Sequence, residues 1–98
     1  MSDVRSIRVR VGDGAEKNFT GRAAWALHNL ILARDGGCTP IDHPGPRWSH
    51  YTFLIRRAGI EVETITEAHG GAYKGTHARY VLRSPVEVLE VQEAGACS

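Results

Sequence analysis

The 98-residue chain, 42% hydrophobic and 23% charged, has the composition of one small globular domain and not of a disordered polypeptide. Its 12 Lys and Arg against 11 Asp and Glu give a net charge of +1, so affinity for a polyanion has to come from local charge. A chain this short buries only about two-thirds of its unfolded surface, which argues against the deep cleft of an elaborate enzyme.

Residues 4–11 alternate, with Ile7, Val9 and Val11 on one face and Arg8 and Arg10 on the other, the pattern of a half-buried strand. Gly12-Asp13-Gly14 breaks it, and a polar loop is expected to run to Asn18. Thr20 is expected to cap a helix over residues 21–34. In that helix Ala23, Ala24, Ala26, Leu27, Leu30, Ile31 and Ala33 recur at helical spacing, and Gly36-Gly37 ends it. Pro40, Pro44 and Pro46 then exclude a long helix. That connector has room for a short strand at Cys38 and Thr39 and one helical turn near residues 41–43.

Pro46 suits the start of a second helix over residues 47–58, closed by Gly59. Trp48, Tyr51, Ile55 and Ala58 form its apolar stripe, which leaves Arg47, Ser49, His50, Phe53, Arg56 and Arg57 on the outward side. Residues 60–66 and 77–82 read as two strands joined by a Gly-rich loop containing His69 and Lys74, too long for a two-residue turn. Residues 86–91 offer a further strand, and residues 92–98 are expected to be disordered. The expected core comprises Ala26, Leu27, Leu30, Ile31, Tyr51, Ile55, Val62 and Val81.

This order, helix, turn-rich connector, helix ending Ile55-Arg56-Arg57-Ala58-Gly59-Ile60 and then a hairpin closed by Tyr80-Val81-Leu82, resembles a winged helix-turn-helix domain. It is similar to the short winged-helix proteins of bacteria and their phages. The prolines of the connector make the middle helix of that pattern very short or distorted. The resemblance implies an α+β winged helix, with a helical core, a C-terminal hairpin wing and an extra N-terminal strand. The winged-helix domain would occupy residues 19–84, between an N-terminal strand and loop (1–18) and a C-terminal strand and tail (85–98). It further implies double-stranded DNA as partner, with a recognition helix in the major groove and the wing on an adjacent groove or backbone.

Local charge agrees in part. From His43 to Arg83 six cations face three glutamates, whereas the tail from Ser84 onward carries a net −3. About four to six cations imply modest, salt-sensitive binding. Arg47, Ser49, His50, Arg56 and Arg57 on the helix, with His69 and Lys74 on the wing, are the candidate DNA contacts. The competing reading is a protein-interaction module that uses the same helix face, Phe53 included, without DNA. A homodimer is a further expectation, formed through the edge of residues 4–11 or 86–91.

Other constellations point elsewhere only weakly. Cys38 and His43 lack the spacing of a zinc knuckle, and no Cys-x2-Cys pair stands by His50, His69 or His77. Ser49 and His50 are adjacent on one helix and cannot face each other as nucleophile and base. Gly70, Gly71 and Gly75 around Lys74 lack the phosphate-loop motif. Neither enzyme activity, metal nor cofactor is expected. Two cysteines make no disulfide framework, the opening residues lack a signal-peptide apolar region, and the longest apolar stretch is far short of the ~20 residues that span a bilayer. The expected setting is a reducing cytoplasm with no membrane contact.

Overall fold

The computed structural model describes residues 4–12, 14–40, 47–69 and 75–93. Along the chain run β1 (Val4–Val11), β2 (Glu16–Thr20), α1 (Gly21–Ala33), a 3₁₀ turn (Arg34–Gly36), α2 (Trp48–Arg57), β3 (Val62–His69), β4 (Gly75–Leu82) and β5 (Val86–Glu93). Among the described residues the strands form two antiparallel sheets, one ordered β2-β1-β5 and the other the hairpin β3-β4. Cys38 adds an isolated bridge to Tyr80 of β4, through reciprocal backbone bonds of 2.8 Å.

Sheet pairing corrects the N-terminal expectations. The polar segment at residues 16–20 is a strand, not a loop: its register against β1, from Ser6 opposite Thr20 to Arg10 opposite Glu16, supplies the order its own pattern lacks. Thr20 closes that strand and precedes α1 in extended conformation, but its hydroxyl makes no capping bond. β1 is the central strand, flanked on both sides, so it offers no edge to a second copy. In that sheet the outer strands are β2 and β5. Gln92 and Glu93, expected to be disordered, belong to β5.

A β-bulge at Arg5, where Val4 faces Glu93 but Ser6 already faces Gln92, brings Val4 into phase with Ile7 and Val9. All three are buried in one core with Phe19 of β2, Ala24, Leu27 and Leu30 of α1, Tyr51 and Ile55 of α2, and Val62 and Tyr80 of the hairpin. Val81 is buried as expected, whereas Ile31 is only partly buried at the margin of the core. Aromatic rings fasten the two helices to the hairpin. Trp48 stacks on Tyr80 at 5.7 Å and 13°, and Trp25 of α1 packs against Trp48 at 5.4 Å.

The opposite face of the three-stranded sheet is ionic. Arg8 lies between Glu16 and Glu90, and Arg10 between Glu16 and Glu87, at 3.3–3.4 Å. Glu16 together with Glu87 and Glu90 of the acidic tail thus neutralises Arg8 and Arg10, although each exposed pair is worth only about 0–1 kcal/mol. Arg8 and Arg10 are thereby committed to glutamates on this face.

Candidate nucleic-acid interface

α2 is built with two unlike faces. Trp48, Tyr51, Thr52 and Ile55 are buried. The Thr52 hydroxyl donates within the helix, to the carbonyls of Trp48 (3.1 Å) and Ser49 (3.0 Å), so its burial leaves no polar group unmet. Ser49, His50, Phe53, Arg56 and Arg57 are exposed on the other side, with exposed Arg47 just before the first turn. The Arg47 carbonyl starts the helix by accepting from the amides of His50 and Tyr51, both at 3.0 Å. Gly59, at φ +95°, ends it with a conformation that other residues rarely adopt. Between Arg47 and Ile60 there is no acidic residue.

The candidate residues do not all stand alike. Arg56 folds back onto β3: its Nε and Nη2 donate to the Val62 carbonyl at 3.0 and 2.6 Å, and Nη2 also reaches Thr64 Oγ1 at 2.6 Å. These bonds tie the end of α2 to the hairpin, so Arg56 acts here as a structural clamp. Arg57 instead lies over the ring of Phe53, 5.7 Å from its centroid. His50 faces the same ring at 6.4 Å, inclined by 23°. Phe53, 52% exposed, is therefore framed by two of the candidate residues. Sequence reasoning left it outside the set of DNA contacts, although the i+3 and i+4 spacings from His50 to Phe53 and Phe53 to Arg57 already make them neighbours.

His69 is the last residue of β3, its backbone opposite Gly75, while Lys74, like the expected helical turn at residues 41–43, lies outside the described residues. The body of the hairpin is charge-balanced. Arg83 pairs with Glu63 at 2.7 Å, and Glu67 takes Arg79 at 2.6 Å and His77 at 3.0 Å. Arg79 also donates to the Gly36 carbonyl at 2.7 Å, which joins the hairpin to the turn after α1. The helix, not the hairpin body, carries the local cationic excess.

That network has a pH signature. The Arg79 guanidinium bonded to Glu67 holds this carboxyl below the ordinary glutamate range; desolvation opposes the shift and His77 reinforces it. A lowered folded-state pKa stabilises the protein above the unfolded glutamate value of about 4.3 and ceases to do so as the pH falls through the folded value. Glu67→Gln is accordingly expected to lower stability at neutral pH, with its deficit from the parent shrinking in acid. Urea denaturation across pH 3 to 7 checks this, and a deficit independent of pH would contradict it.

Among the described residues no group of three or more His, Cys, Asp or Glu could hold a metal ion, and no helix is long and apolar enough to cross a membrane. The outward face of α2 carries no acid and adjoins the hairpin. The Winged helix domain family matches residues 16–92. The chain belongs to this family. The match begins at Glu16, so β2, both helices, the hairpin and nearly all of β5 fall within the winged-helix region, while β1 precedes it. No curated protein and no solved structure matches the chain.

Proposed function

We propose that this winged-helix protein binds double-stranded DNA as a transcriptional regulator or phage-type accessory factor in the cytoplasm. α2 would enter the major groove and the β3-β4 hairpin would act as the wing on the neighbouring backbone. The observation that carries the reading is the outer face of α2. It presents Arg47, Ser49, His50 and Arg57 without a single acid, whereas Arg8 and Arg10 of β1 and Arg79 and Arg83 of the hairpin are matched by glutamates. In this reading Arg47, Ser49, His50 and Arg57 approach base edges or phosphates. Arg56 places the helix and lends its charge, and His69 and Lys74 work from the wing.

The test is binding to a labelled duplex of random sequence at two salt concentrations. With about four phosphates neutralised, affinity is expected to fall roughly 100-fold between about 50 and 200 mM salt. Lys74→Ala should weaken all duplexes alike and reduce the salt slope by about one, the behaviour of a phosphate contact. Duplex binding that is absent, or that ignores salt, would overturn the reading and favour a protein-interaction module using the same face.

A further inference from the structure

We propose that Phe53 is a sequence-reading residue: its ring takes the C5 methyl of a thymine in the major groove and holds Arg57 in place to read a guanine within two base pairs of it. The inference rests on α2 being the DNA-contacting helix.

Phe53 stands out against its surroundings. It is 52% exposed at the middle of a face that otherwise carries Ser49, His50, Arg56 and Arg57. The neighbouring side chains frame the ring without covering it. His50 lies one turn before it, inclined by 23°, and the Arg57 guanidinium one turn after it, 5.7 Å from the centroid. An apolar partner alone would satisfy the ring, but the cations around it and the lack of acids from Arg47 to Ile60 call for an apolar group set within a polyanion. Among base edges in the major groove, the thymine methyl is that group, and contact with Phe is one of the recognised ways of reading it.

The position of Arg57 follows from the same contact. Arg reads guanine through paired bonds to O6 and N7, and a guanidinium resting on an aromatic face keeps its planar fork oriented, so less freedom is lost on docking. Its distance of 5.7 Å from the ring centroid corresponds to between one and two base-pair steps of about 3.4 Å. Thymine and guanine are therefore read close together, by residues one helical turn apart.

The experiment starts from sequences selected by the parent protein out of a randomised duplex pool. The enriched duplex is then remade with deoxyuridine replacing each thymine singly, which removes the methyl and keeps the pairing. At one thymine the exchange is expected to weaken the parent about fourfold, the size of one buried methyl group. Phe53→Ala should bind the thymine and uracil duplexes equally, while melting as the parent does. Arg57→Lys should relax the preference for guanine near that thymine. A selected site with no methyl-sensitive thymine, or a Phe53→Ala variant that still discriminates thymine from uracil, overturns this inference and leaves DNA binding standing. A parent protein that binds no duplex overturns both.

Discussion

Truncating Ile55 to alanine is expected to destabilise the protein by about 2–5 kcal/mol. At about 4–8 °C per kcal/mol for a domain of roughly 100 residues, its melting temperature should fall by about 10 °C or more. The side chain is fully shielded from solvent and packs in the cluster that joins α2 to Leu27 and Leu30 of α1 and to Val62 of β3. Removing it deletes buried methyl groups and leaves a void where two helices and the hairpin converge. Phe53→Ala, two residues earlier but on the solvent side, provides the contrast, with an expected change within about 0.5 kcal/mol. Thermal melts of the two variants separate the faces of α2 directly. A melt of Ile55→Ala that superimposes on the parent would remove this residue from the core.

The second large effect is expected at Gly37. With φ +69° and ψ −176°, its backbone occupies a region open essentially to glycine alone. A Cβ there would lie 2.6 Å from the Tyr80 carbonyl oxygen and 2.8 Å from Val81 Cγ2. That carbonyl also accepts the Cys38 amide, so the clash strikes the bridge that anchors the hairpin to the chain after α1. Gly37→Ala is expected to cost on the order of 3 kcal/mol or more from strain and the displaced bridge together. Gly59 also has a positive φ, of +95°, but open space around its missing side chain. Gly59→Ala should thus cost only the backbone strain, about 1–2 kcal/mol. Equal losses at the two glycines, measured by chemical denaturation, would show that close approach to Tyr80 is not what Gly37 provides.

Much of this architecture is legible in local pattern. The 3.6-residue spacing of α1 and α2 and the glycines after them place both helices to within a residue or so, because helical contacts repeat over short separations. Alternation likewise locates the hairpin, although β3 is shifted from the expected 60–66 to Val62–His69 and β4 starts before residue 77, at Gly75–Leu82. What local pattern misses is decided by remote partners. β2 has Phe19 as its one buried residue, and pairing with β1 makes it a strand. Arg8 and Arg10 look like free cations until Glu87 and Glu90 arrive from the far end of the chain. The outward face of α2 is readable from spacing alone. The clamp formed by Arg56 is not, because its acceptor is a backbone carbonyl on β3 that no side-chain pattern announces.

The pairing of β1 with β5 makes folding order a matter of exposure. Their ladder sets Val4 opposite Glu93 and Val11 opposite Val86, whereas β1 meets β2 across a short turn and β3 meets β4 within a single hairpin. Both local hairpins can form early, while the non-local ladder waits for the slowest search in the chain. Until β5 docks, β1 keeps one row of amides and carbonyls unpaired beside the apolar side chains of Ile7 and Val9, a template that another polypeptide can occupy. Competition between copies thus belongs to refolding, where yield should fall as protein concentration rises, and it ends once β5 takes its place beside β1.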